Sequence, residues 1–215
     1  MVFTIIFIGE TGVGKSSIIR RYCENDFSYQ YNPSVDIEIS GRIKLCHVIK
    51  DKIEYRLPIN IQIFDLPGSF DKNIIKYYLS NAHCVVFVFD IGKSSLSETE
   101  KMIREWYLIY NEYIATFSNQ PCPLLYIVAN KVDLFQNNKL TYNIKDIADN
   151  KENFIEKDNT LNISNILFFE TSAKDGSGIS SLFSSISYEV LKRFPTVIDM
   201  EKEIYMSTNS CCSIL

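Results

Sequence analysis

One run of the chain carries chemistry in its spacing alone: Gly9-Glu10-Thr11-Gly12-Val13-Gly14-Lys15-Ser16. It fits the pattern G-x-x-x-x-G-K-[ST]. Small residues at this spacing let backbone N–H groups curl around a polyphosphate, while the Lys reaches the β- and γ-phosphates and the hydroxyl binds Mg²⁺. The flanks suit that task. Val2 to Ile8 is β-branched and aromatic, as a buried parallel strand should be, and Ile18, Ile19 and Tyr22 follow at helical spacing. A strand feeding a Gly-rich turn and then a helix N-terminus makes an anion site by geometry and dipole together. The run does not say which nucleotide is held or what is done with it.

Three further strings sit where strands should end. Ile59-Asn60-Ile61-Gln62-Ile63 alternates as a strand and closes on Phe64-Asp65-Leu66-Pro67-Gly68. In a parallel sheet, Asp65 at that C-terminal end lies beside the phosphate loop, where ligands bind. There a carboxylate can hold Mg²⁺ through water, and the Gly68 N–H can reach a terminal phosphate. Leu124-Leu125-Tyr126-Ile127-Val128 is a buried strand ending at Asn130-Lys131-Val132-Asp133. Leu167-Phe168-Phe169 is the last strand and runs into Glu170-Thr171-Ser172-Ala173-Lys174.

Positioning these strings requires the rest of the chain. The first helix gives way near Glu24-Asn25-Asp26 to an aromatic segment from Phe27 to Pro33, and Pro33 holds its neighbour in an extended loop that carries Ser34. Val35, Ile37 and Ile39 alternate against Asp36, Glu38 and Ser40, and a turn at Lys50-Asp51-Lys52 predicts a long antiparallel hairpin at a sheet edge. Cys84 to Phe89 is apolar without alternation and reads as a central strand. Ser97 with Glu100 offers a capping box for a helix bearing Met102, Ile103, Trp106, Ile109, Tyr110, Tyr113 and Phe117. A helix around Ile144, Ile147, Ala148, Phe154 and Ile155 and a final one with Ile179, Leu182, Phe183, Ile186 and Val190 complete the alternation. The expected fold is α/β: a doubly wound, mostly parallel six-stranded sheet with one antiparallel edge strand and helices on both faces.

At 215 residues, 46% hydrophobic and with a net charge of −4, the chain suits one buried α/β domain with a tail, and its charge gives no reason to expect nucleic acid. Six cysteines without a C-x-x-C pair and two histidines suggest neither a disulfide framework nor a zinc site, which fits a reducing cytosol. With the first strand opening at Val2, no signal peptide is expected. No apolar run approaches the roughly 18 residues of a membrane span.

The four strings occur in the order and at about the separations of the Ras-like small GTPases, which the chain resembles over residues 1 to 195. Within them it most resembles the Rab branch, through Tyr77-Tyr78-Leu79-Ser80-Asn81-Ala82, the run from Phe168 to Lys174 and a double-cysteine terminus. The resemblance implies a P-loop G domain that binds GTP or GDP with Mg²⁺. By it, Thr11, Gly12, Val13, Gly14, Lys15, Ser16 and Ser17 hold the phosphates, Gly68 meets the terminal one, and Ser16, Ser34 and Asp65 serve the metal. Phe27 lies against the base, Asp133 reads its N1–H and exocyclic amine, Asn130 braces the loops, and Lys131 packs over the ring. Ser172, Ala173 and Lys174 form the last loop, with the Ala173 N–H reading the guanine oxygen. A site built around such contacts rejects adenine by orders of magnitude, which disfavours an ATP-using enzyme.

Departures from the family pattern are expected to matter. Ser34 stands where most members have Thr, keeping the hydroxyl and losing the methyl. Asp65-Leu66-Pro67-Gly68-Ser69 stands where Asp-Thr-Ala-Gly-Gln is usual. Ser69 is too short to orient water as that Gln does, and Pro67 removes an N–H and stiffens the loop. The expectation is a GTPase with retained GTP binding and slow intrinsic hydrolysis; the alternative is a GTP-bound, hydrolysis-deficient scaffold.

Residues 196–215 lack a core pattern and end in Cys211-Cys212-Ser213-Ile214-Leu215. Cys212 opens a C-a-a-X box whose final Leu favours geranylgeranylation, and Cys211 can take a second lipid. Expected partners are an exchange factor, an activating protein and effectors at the switch loops, a prenyl-binding chaperone and, through lipid, the cytoplasmic face of an endomembrane. The G domain is expected to be a monomer.

Overall fold

Every residue from Cys84 to Phe89 is at most 2% exposed, because this unbroken apolar run lies in the middle of a sheet covered on both faces. The computed structural model describes residues 2–30, 36–50, 53–93, 95–116, 122–137, 142–149 and 166–194. Its strands are β1 (Val2–Ile8), β2 (Glu38–Lys50), β3 (Ile53–Asp65), β4 (Cys84–Asp90), β5 (Leu124–Asn130) and β6 (Ile166–Thr171), ordered β2-β3-β1-β4-β5-β6. All neighbours are parallel except β2 and β3, the predicted hairpin, whose ladder runs from Glu38 opposite Asp65 to Lys50 opposite Ile53.

The helices are α1 (Lys15–Glu24), α2 (Lys72–Leu79), α3 (Leu96–Thr116), α4 (Ile144–Asp149) and α5 (Ile179–Arg193). Alternate residues of β1 divide the core. Phe3, Ile5 and Phe7 face α1 and α5, where the Tyr22 and Phe183 rings stack with centroids 3.6 Å apart. Ile6 and Ile8 face α2, α3 and α4, with Ile75, Leu79, Ile103, Tyr107 and Ile147. Helices on both faces of a mostly parallel sheet are what the alternation of strand and helix requires. A short 3₁₀ helix (Val132–Asn137), which no apolar period announces, follows β5.

One local expectation changes, and β2 adds a feature that alternation left open. The capping box of α3 is Ser95 with Glu98, two residues before the predicted pair: Ser95 N–H and Oγ–H both donate to Glu98 Oε2, at 2.8 and 2.9 Å. The sequence holds two overlapping S-x-x-E strings, and the earlier one starts the helix. Alternation left the inward face of β2 open: Ile37, just before it, packs against the core, but Ile39, Ile43 and Leu45 do not. These three are 59, 70 and 63% exposed, while Arg42 and Lys44 lie on the face toward α1 and α5. The cations reach polar partners past their own stems: Arg42 donates to the Tyr22 carbonyl, and Lys44 Nζ donates to Ser184 Oγ at 3.0 Å. Phe117, Phe154 and Ile155, together with the turn at 51–52, lie outside the described residues.

Register then does the positioning. Phe7 pairs with Asp65, Asp90 with Asn130, and Asn130 with Thr171. Strand ends from β3, β4, β5 and β6 therefore come out beside residues 9–14 at one edge of the sheet.

Candidate functional site

The loop after β1 is shaped by glycines where side chains do not fit. Gly9, Gly12 and Gly14 take φ of 140°, 81° and 98°. A Cβ on Gly9 would meet the Val88 carbonyl oxygen at 2.2 Å. The loop turns back over Lys15, which is 6% exposed and donates to the carbonyls of Gly9 and Glu10, both at 2.9 Å. Burial lowers the lysine pKa, opposed by the charges of Asp65 and Glu10. α1 starts directly from this turn, so its first N–H groups point into the same space.

Asn130, 1% exposed, fastens three loops. Its Nδ2 donates to the Val13 carbonyl at 2.9 Å, and its Oδ1 accepts from Thr171 Oγ1 at 3.2 Å and from the Ala173 N–H at 3.3 Å. Lys131, at φ 69°, reaches back so that Nζ donates to the Gly12 carbonyl at 2.9 Å and pairs with Asp90 at 2.7 Å. Asp133 accepts from Ser172 Oγ at 2.7 Å and lies 3.7 Å from Lys174 Nζ. These groups border a cleft of about 410 Å³. Thr11, Gly12, Gly14, Lys15, Ser16 and Ser17 form one side, Asn130, Lys131, Asp133, Ala173 and Lys174 another, and Phe27 to Gln30 the third.

The sequence profile of the Ras family matches residues 4–192. The chain belongs to the Ras family of GTPases. It is 26% identical over 191 residues to the Ras-related protein RabC of Dictyostelium discoideum, covering 88% of this chain and 84% of that protein. To the Ras-related protein Rab7 of Prunus armeniaca it is 28% identical over 208 residues, covering 96% and 87%. To the Ypt/Rab-type GTPase ypt7 of Schizosaccharomyces pombe it is 26% identical over 212 residues, covering 93% and 92%.

In this Ras-family chain the sequence-predicted residues converge, with identifiable exceptions. Val13 points into the core and offers the site its backbone. Ser172 is fully buried and acts through Asp133. Pro67 and Gly68 border the cleft, and a Cβ on Gly68 would lie 2.3 Å from the Thr11 nitrogen. Ser69 is exposed and does not border it. Phe27 is half-buried, meets the Tyr29 ring edge-on at 5.1 Å and lines the cleft as well as packing on the core. Ser34, Cys211 and Cys212 lie outside the described residues.

Asp65 carries the best local test for a cation. It is 3% exposed, and neither carboxylate oxygen has a hydrogen bond of good geometry among the described residues. Burial raises its pKa, opposed by the adjacent Ser16 hydroxyl and then by the Lys15 charge. A buried carboxylate with unspent lone pairs, beside a hydroxyl, is a donor set that fits a hard divalent ion.

Sequence reasoning passed over two contributors. Asp90 ends an apolar strand as Asp65 does, and that position was the available signal for the partner of Lys131. Arg21 gave no signal: it reaches across the fold, donating from Nε to the Ala173 carbonyl at 2.9 Å and from Nη2 to the Lys174 carbonyl at 2.7 Å.

Proposed function

We propose that this chain is a Rab-like GTP/GDP switch of intracellular membrane traffic. The observation that carries the reading is the convergence of Asn130, Lys131, Asp133 and Ala173 on the loop from Gly9 to Ser16 across one cleft. Phosphates fit the glycine-lined side with its helix N-terminus and Lys15. Guanine fits beside Asp133, whose carboxylate accepts from the ring N–H and the exocyclic amine, with Lys131 along one face and Phe27 at the other. Asp65 and Ser16 would hold Mg²⁺, joined by Ser34 on the loop before β2; the ion supplies charge compensation to phosphate oxygens. The terminal phosphate bears on the Gly68 N–H, so its presence or loss changes what the loops around Ser34 and Gly68 display.

Catalysis is slow in this reading. Water orientation falls to the position of Ser69, which is short, exposed and off the cleft, next to a loop stiffened by Pro67. The same observation supports a second reading, a GTP-bound scaffold that barely turns over. Residues 1–195 form the switch and 196–215 a tail lipidated at Cys211 and Cys212, which places the protein on the cytoplasmic face of an endomembrane. An exchange factor, an activating protein, effectors and a prenyl-binding chaperone are the corresponding partners. Single-turnover hydrolysis of preloaded GTP, beside Ser69→Gln, tests the proposal. A nearly inert wild type restored by Gln is expected; an ordinary rate that Gln leaves unchanged would overturn slow hydrolysis, and failure to load GTP would overturn the switch itself.

A further inference from the structure

Among the described residues four cations border the cleft, and three of them are held by the protein. Lys15 donates to two loop carbonyls, Lys131 pairs with Asp90, and Lys174 lies 3.7 Å from Asp133 and 6.0 Å from the Tyr29 ring centroid. Arg20 is the fourth. It is exposed, borders the cleft together with Ser17 and Gln30, and has no hydrogen bond, ion pair or ring contact among the described residues. Its neighbour Arg21, on the adjacent face of α1, is by contrast fully engaged with the Ala173 and Lys174 carbonyls.

We infer that Arg20 is a nucleotide-binding residue, its guanidinium gripping the phosphate nearest the sugar from the flank of α1. The inference rests on the guanine-nucleotide reading above. Arg20 lies five residues beyond Lys15, about 7.5 Å further along the helix axis. Side chains on a helix slant toward its N-terminus, so the long arm of Arg20 covers the turn carrying Ser16 and Ser17. Arg20 shares the cleft with Lys15 and with the segment from Ser28 to Gln30, and being further along the helix it is set to meet an inner phosphate while Lys15 meets the outer ones. The guanidinium has no paired anion among the described residues of the cleft wall, and the helix N-terminus toward which it slants favours an anion. A phosphate seated there satisfies both, and a planar five-donor fork that stays charged is suited to it.

This position predicts a specific pattern. The innermost phosphate is common to GDP and GTP, so Arg20 binds both alike and does not read the switch state. Affinities of fluorescent GDP and of a non-hydrolysable GTP analogue would be measured for wild type, Arg20→Ala and Arg20→Lys across a salt series, with thermal unfolding of the nucleotide-free proteins alongside. Arg20→Ala should weaken both nucleotides about tenfold and by the same factor, with a shallower salt dependence and an unchanged unfolding midpoint. Arg20→Lys should recover part of the loss. Unchanged affinities in Arg20→Ala overturn the inference, and so does a loss confined to the triphosphate, which would put the guanidinium at the outer phosphate. A wild type that binds neither nucleotide overturns the guanine-nucleotide reading, and this inference with it.

Discussion

A methyl group on Gly14 would lie 2.3 Å from the Asn130 side-chain nitrogen, so the phosphate loop and the strand end that faces it are packed without room for one extra carbon. Gly14 also holds φ at 98°, where an L side chain is strained. Gly14→Ala is therefore expected to displace the Asn130 amide from the Val13 carbonyl and to cost on the order of 2 kcal/mol. A lower thermal midpoint and loss of copurifying nucleotide are the readouts. A variant that melts and loads like the wild type would contradict this packing.

Asp133 is held toward the cleft by the Ser172 hydroxyl. In the proposed binding mode, replacing it by Ala removes the acceptor that guanine requires and adenine cannot use. Competition between GTP and ATP should show the preference for GTP falling by two or more orders of magnitude. Retained discrimination in Asp133→Ala would move base recognition elsewhere.

At the opposite end of the central strands, His83 Nδ1 accepts the Thr4 N–H at 3.1 Å, and burial lowers the imidazole pKa. The folded state thus binds its proton less readily than the unfolded chain, whose histidine titrates near about 6.5. The sign follows: stability from this group is complete above the unfolded value and declines as pH falls through it toward the folded one. Urea unfolding at descending pH should reveal the decline. His83→Asn, which keeps an acceptor and cannot titrate, should reduce it; parallel curves for the two proteins would rule His83 out as the cause.

The terminal cysteines make a cellular prediction. With both Cys211 and Cys212 replaced by Ser, the protein should move from membrane to soluble fractions, since a single lipid chain anchors only marginally and this tail has no polybasic run. Membrane association that survives the double substitution would require another anchor.

The candidate site was legible where its residues are contiguous. A phosphate loop or a base-reading loop must be built from neighbouring residues, and each such string stands at the end of a recognisable strand. The fold was legible for the related reason that unbroken apolar strands and amphipathic helices alternate. What sequence could not reveal acts across distance or depends on a choice of face. Arg21 clamps carbonyls 152 and 153 residues away. Alternation on β2 announces a strand, but the side that turns inward is decided by pairing with β3, which put Arg42 and Lys44 over the core face. The start of α3 was ambiguous because two strings of the same S-x-x-E pattern overlap.

The outermost strand has a consequence for the free protein in solution. Ile39, Ile43 and Leu45 stand uncovered along β2, whose outer side has no neighbouring strand among the described residues. Two molecules meeting at this edge can offer each other both a backbone ladder and an apolar strip. Self-association through this margin is therefore the expected route by which the protein leaves monodispersity as its concentration rises. A lysine at position 43 would raise that concentration while leaving the nucleotide cleft intact.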